Sequence, residues 1–224
     1  MPDTANALLR QYVKLTEFLG AALGPDYEVA LHDLTDKNRS VIAIANGYIS
    51  GREVGAPLTN MALSVLKDES YEWQDYRLHY SGVSAAGNAL RSSTMFIKED
   101  GKLIGMLCIN FDDSRFQNFA QQVLTLCHPN QFVQALEQPP EDEHAPRPET
   151  FRNSTEAVAQ DAIAHELERL GVPADRLTSE ERQQIIAALE ESGIFLLKGA
   201  VKDVAAGLGC SQASVYRYLS HIRK

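Results

Sequence analysis

201-VKDVAAGLGCSQASVYRYLSHI-222 reads as two short helices joined by a tight turn. The first, Lys202 to about Leu208, places Val204, Ala205 and Leu208 on one face. Gly209 follows where the chain must reverse, because glycine reaches φ > 0 without steric cost. Ser211 can cap the next helix by accepting a bond from an orphan backbone N–H. That helix, to about Ile222, buries Val215, Tyr218 or Leu219, and Ile222. It exposes Gln212, Ala213, Tyr216, Arg217 and Ser220, while Ala205 supplies the small residue where the helices cross. A DNA-binding helix–turn–helix needs this spacing, since its second helix must stand proud of the domain to enter a major groove. A plain helical hairpin would carry mixed solubilising charge on that face, where this one carries Gln, Ser, Tyr and Arg.

A net charge of −9 over 224 residues is at odds with that reading until it is divided along the chain. Residues 199–224 hold Lys202, Arg217, Arg223 and Lys224 against Asp203 alone, a local +3. Charges act over a Debye length of about 8 Å at physiological salt, so a local basic face suffices. The acidic remainder suppresses non-specific binding and argues against a protein that coats DNA. From this segment the candidate DNA contacts are Ser211, Gln212, Ser214, Tyr216 and Arg217, with Lys202, Arg223 and Lys224 at the margins. One recognition helix reads too few base pairs for useful specificity, so a homodimer on a two-fold double-stranded operator is expected. No apolar run reaches membrane-spanning length and no secretory leader opens the chain, so a cytoplasmic protein is expected. Cys108, Cys127 and Cys210 lie far apart in apolar contexts and are expected to be buried and reduced.

Upstream, residues 6–23 carry apolar residues at helical spacing and stop at Gly24-Pro25. Two strand-like runs follow, 27-YEVALHDL-34 and 40-SVIAIANG-47. The glycine-rich loop 47–57 matches no phosphate-binding motif and is read as closing over a pocket. It leads into a helix over 58–68. Residues 71–90 stay ambiguous. The clearest hairpin is 91–114, turned by Asp100-Gly101. An amphipathic helix over 115–127 follows it. The expected fold is α+β: an N-terminal PAS-like antiparallel sheet with covering helices (residues 1–136), then a C-terminal all-α helix–turn–helix domain (154–224). Between them 137–153, acidic and proline-rich, is expected as an extended linker. In the C-terminal part, Thr178 and Glu181 form a capping box.

Two stretches carry a family likeness. Residues 31–57, LHDLTDKNRSVIAIANGYISGREVGAP, and 90–112, LRSSTMFIKEDGKLIGMLCINFD, resemble the YheO-like PAS domain. Residues 179–219 resemble the helix–turn–helix domain that accompanies it. The resemblance is to the YheO/DauR family of bacterial transcriptional regulators, whose DauR members repress D-arginine catabolism. It implies a DNA-binding regulator, a repressor, that senses a small metabolite such as an amino acid or derivative. Separately, 213-ASVYRYL-219 resembles the recognition helix of Hin-type invertases. That likeness implies that Arg217 reaches a guanine edge while Ser214 and Tyr216 contact phosphates. Ala213 stands where that pattern has a base-contacting serine, which makes Gln212 the second reader.

For the small-molecule effector, polar residues among the strands are the candidates: His32, Asn46, Arg91, Ser93 and Asn110. Arg91 would clamp a carboxylate. Ser92 and Ser93 point to opposite faces, so only one lines a pocket. No nucleophile elbow, H-E-x-x-H or Cys/His cluster is present, so neither catalysis nor a metal is expected. The helices at 58–68 and 115–126 lack an axial histidine for haem, and no cofactor is expected. The alternative reading is an adaptor that acts through protein partners without DNA.

Overall fold

The computed structural model describes residues 6–127 and 148–223. Helix α1 (Ala7–Leu23) begins where the Asn6 side chain accepts from the amides of Leu8 and Leu9, and ends at Gly24 with φ of 92°. Strands β1 (Tyr27–Asp33) and β2 (Val41–Ala45) form the first antiparallel pair. The loop after β2 leads to α2 (Asn60–Asp68), capped by the Thr59 hydroxyl. Strands β3 (Tyr76–Val83), β4 (Ala89–Glu99) and β5 (Lys102–Asp112) follow, then α3 (Ser114–Cys127). Asp100 and Gly101 both take positive φ, 49° and 77°, as a type I′ hairpin turn demands. The ambiguous segment 71–90 resolves into β3 behind a short 3-10 turn at Ser70–Glu72. A bulge between Arg77 and Tyr80, with His79 at φ 54°, breaks the alternation that would have marked a strand.

The sheet order is β2-β1-β5-β4-β3-β6, where β6 is Glu149–Thr150. All pairs are antiparallel except β3 with β6, so the sheet is mixed. One face packs α1 over Leu9, Val29, Leu31, Ala43, Ile97 and Leu107. The opposite face carries Ala30, Phe96, Met106 and Cys108 toward α2. Residues 137–147 of the expected linker lie outside the described residues, as does Lys224. The end of that stretch is not extended linker. Glu149 and Thr150 pair with Gly82 and Val83, and Phe151 is buried with Ile49 and Leu90. The two pairings and the apolar burial outweigh the local acidic, proline-rich composition.

Helices α4 (Thr155–Leu170), α5 (Ser179–Glu191), α6 (Ala200–Gly207) and α7 (Gln212–Ile222) complete the chain. The Thr178–Glu181 capping box opens α5 with both reciprocal bonds made. Leu58, Leu63 and Val65 of the α2 region belong to one apolar core with Ile185, Ile186, Leu189, Ile194, Val204 and Leu219. A Cβ on Gly193 would lie 2.8 Å from the Leu63 carbonyl oxygen, so the connection after α5 approaches α2 as closely as only glycine allows. Asn38 and Lys198 exchange two bonds of 3.0 Å, side-chain amide against backbone. Of the cysteines, Cys108 is buried and Cys210 partly so, but Cys127 is exposed, contrary to the expectation for all three. No helix among the described residues is long and apolar enough to cross a membrane.

Candidate DNA interface and a buried polar row

The α6–α7 pair is built from its turn outward. Gly209 sits at φ 60°, and the Cys210 amide bonds the Ala205 carbonyl at 2.9 Å, closing the end of α6. Ser211 Oγ then accepts from the Ser214 amide at 3.2 Å, which opens α7. Val204, Ala205 and Leu208 pack on Val215 and Leu219 and fix the crossing of the two helices. Tyr218 binds Ser179 of α5 through its hydroxyl at 2.8 Å, so α7 is held from both sides. The helix therefore turns Gln212, Ala213, Tyr216, Arg217 and Ser220 outward, all exposed and all on one face by helical spacing. Arg217 rests with Cζ 5.3 Å from the centroid of the Tyr218 ring.

The marginal residues differ among themselves. Lys202 is exposed on α6 and shares a groove with Gln212, Tyr216 and Arg223. Ser211 is spent on the cap, and Ser214 Oγ lies 3.0 Å from Ser211 Oγ. Arg223 makes a forked pair to Glu190, at 3.2 and 3.0 Å, in competition with the expected phosphate contact. Glu190 also accepts from Lys67 of α2 at 2.8 Å. Burial alone would raise the Glu190 pKa, but its bonds to Arg223 and Lys67 hold it below the usual value.

The candidate effector residues do not come together. Asn46 takes φ 56° and donates to the carbonyls of Gly20, Gly24 and Tyr27, pinning the end of α1 to β1. Arg91 is exposed and lies over Phe111, 5.1 Å from the ring centroid. Ser93 accepts from the His79 amide and faces the side opposite Ser92. His32 and Asn110 alone of the five are buried on the α2-side face.

Sequence reasoning missed most of what surrounds them. Glu28 pairs across the sheet with Asn110, Asn110 with Ser92, and Ser92 with Tyr80, which makes one polar row across four strands. Asn110 Nδ2 donates to Glu28 Oε1 at 2.8 Å, and Arg52 Nη2 donates to the same oxygen at 3.0 Å. The Ser50 hydroxyl and amide both donate to Glu28 Oε2. Arg52 stacks on Phe151, with Cζ 4.6 Å from the ring centroid. Glu149 accepts from the Thr59 hydroxyl at 2.6 Å. Tyr80 and Thr94 share a bond of 2.7 Å, and Thr94 reaches Cys108 Sγ at 3.1 Å. Beside the row, His32 Nδ1 meets Ser40 Oγ at 2.9 Å.

Charges this deep are expensive unless paired. Burial would pull the Arg52 pKa down, but Glu28 and then Glu149 overcome it and raise it. Burial pushes the Glu149 carboxyl up, despite the opposing pull of Arg52, Thr59 and Tyr80. Four atoms of the row and its cover have no hydrogen-bond partner among the described residues: Arg52 Nη1, Ser92 Oγ, Asn110 Oδ1 and Glu149 Oε2. One signal in the sequence could have found part of this. Period-two spacing in YEVALHD puts Glu28 on the same face as His32.

A YheO-like PAS domain matches residues 3–128, more than half the chain, and a helix–turn–helix domain matches residues 152–220. The chain belongs to the YheO-like PAS family. The uncharacterized YheO of Escherichia coli K12 is 28% identical over 217 residues, spanning 96% of this chain and 85% of that protein. An uncharacterized protein of Haemophilus influenzae is also 28% identical, across 99% of this chain and 94% of its own. Transcriptional regulator DauR of Pseudomonas aeruginosa is 26% identical over 100% of this chain and 99% of that one. Sequence and fold thus agree on a YheO/DauR-like architecture, PAS domain first and helix–turn–helix second. The helix–turn–helix match and the likeness to DauR support a DNA-binding transcriptional regulator.

Proposed function

We propose that this YheO-like regulator is a cytoplasmic, homodimeric repressor that releases or holds a two-fold operator according to a small metabolite sensed by its PAS-like domain. The observation that carries the DNA half of this reading is the outward face of α7. Gln212, Tyr216 and Arg217 stand exposed on a helix whose opposite side is locked by Val215 and Leu219. A guanidinium in that position can make the forked contact to guanine O6 and N7, the commonest specific contact in a major groove. Support for sensing is the polar row, fully buried from Glu28 through Asn110 to Ser92, which an apolar core of this size does not need for stability.

The test is operator binding. With genomic fragments selected by the purified protein, Arg217→Ala should cost about 1–3 kcal/mol on the specific site while leaving random DNA nearly unaffected. Lys202→Ala should weaken both alike and flatten the salt dependence. Unchanged operator affinity in Arg217→Ala would remove α7 as the reading helix.

A further inference from the structure

We propose that the polar row Glu28–Asn110–Ser92, together with Arg52 and Glu149, is a buried binding site for a small zwitterion carrying a primary ammonium and a carboxylate. The inference rests on the sensing reading above and gives it a place and a chemistry.

The argument starts from what the unpartnered atoms can accept. Asn110 Nδ2 is spent on Glu28, which leaves Oδ1 as an acceptor. Glu149 holds Thr59 with Oε1, which leaves Oε2 as an acceptor. Ser92 Oγ is the third. A primary ammonium presents three donors and no acceptor, so three acceptors of this kind complement it. Arg52 spends Nη2 on Glu28 and Nε on Ser50, which leaves Nη1 as a donor in want of an anion. A carboxylate is its natural partner. All these side chains are 0–2% exposed, so an unanswered group has no access to bulk water.

Charge points the same way. Glu28 and Glu149 set two carboxyls against one guanidinium. Burial pushes the Glu149 carboxyl toward its protonated form; a ligand ammonium beside it would favour the carboxylate, whereas a purely anionic ligand would disfavour it further. A neutral apolar ligand would leave all four atoms unanswered. The row is also stiff. Its strands are paired on both sides, and the cover from Ser50 to Arg52 is bonded to Glu28 at three points. Pre-organised polar groups of that kind favour binding by lowering the ordering cost.

The full chain would be titrated with common α-amino acids of both hands, each beside the amine lacking its carboxyl and the acid lacking its amine. Thermal midpoint and calorimetry are the readouts. At least one zwitterion should raise the midpoint saturably, and its one-group analogues should bind at least tenfold more weakly. Glu149→Gln keeps an oxygen for Thr59 and should lose tenfold or more in affinity. Ser92→Ala disturbs no bond and should lose severalfold, so a folding defect in the first variant leaves the second decisive. No response to any zwitterion overturns the proposal. Equal binding by amine or acid alone overturns the ligand class, and full binding by both variants overturns the site. Adding operator separates the two readings. Variant-sensitive binding without any change in DNA affinity keeps the site and sinks the sensing reading. Ligand-driven release that both variants retain does the reverse.

Discussion

At the scale of single residues, His32 shows how burial sets chemistry. It is 1% exposed, and burial first, then Arg52, lower its pKa to about 3. Its unfolded value lies near 6.5, so below that pH the unfolded chain takes up a proton that the folded one refuses. Stability is therefore lost as pH falls from 6.5 toward 3. Urea unfolding should show His32 costing about 2 kcal/mol between pH 7 and pH 5. His32→Gln should remove that part of the slope, and an identical slope in both proteins would contradict the buried neutral imidazole. Cys108 follows the same logic with the opposite sign. Burial pushes its thiol up to about 12, so it stays protonated and serves as an acceptor for Thr94 rather than a nucleophile.

Among the elements, α2 joins the two family regions. Its N-cap, Thr59, holds Glu149, and Lys67 near its C-terminus holds Glu190, which in turn holds Arg223 just past α7. Side-chain bonds at its two ends thus tie α2 to Glu149 beside the buried row and, through Glu190, to the end of α7. Glu190→Gln weakens both charge-assisted contacts at once and should lower stability by about 1–3 kcal/mol, read by denaturant unfolding. Arg223, freed from its pair, should then strengthen binding to random DNA, and unchanged non-specific affinity would refute that part. Because Glu190 sits below its ordinary pKa, this stability is present at neutral pH and fades as the carboxyl protonates in acid. How legible such elements are in the sequence depends on whether their signals are local. The Asp100-Gly101 hairpin, the Thr178–Glu181 capping box and the Gly209–Ser211 turn each need only a few adjacent residues. Strand β3 hid behind its bulge, and β6 is two residues in an acidic, proline-rich neighbourhood. The polar row was half legible for the same reason. Period two reveals His32 and Asn110, but Arg52 and Glu149 enter from a loop and a distant strand that no local pattern links to β1.

At the scale of the whole molecule, an apolar surface is left over among the described residues. Helix α3 has no buried residue, and Phe116, Phe119, Val123 and Leu126 form an exposed stripe along it. Phe116 lies 5.7 Å from Phe111, which stacks on Tyr27 at 4.6 Å, so the stripe runs onto the sheet. There it meets an almost wholly apolar groove between α1 and the strands, lined by Leu15, Leu19, Tyr76, Leu78, Met95 and Ile109. Monomeric proteins seldom leave so many large apolar groups contiguous and exposed. A second copy of this chain is the occupant proposed for it. On the function proposed above, a single α7 reads one half-site, and a two-fold partner is what a pair of half-sites requires. An isologous contact through this face would place both recognition helices under one symmetry axis, and the shared core between α2 and α5 would carry the spacing rigidly to the DNA. Phe119→Glu and Leu78→Glu change exposed positions, 67% and 54% accessible, and should leave the fold intact. Each should halve the mass measured by light scattering at micromolar concentration. Operator affinity should fall by far more than non-specific affinity, since only the specific complex needs both half-sites. A dimer that survives both substitutions would move the interface elsewhere, and a wild-type monomer that binds its operator at full affinity would end the two-fold reading.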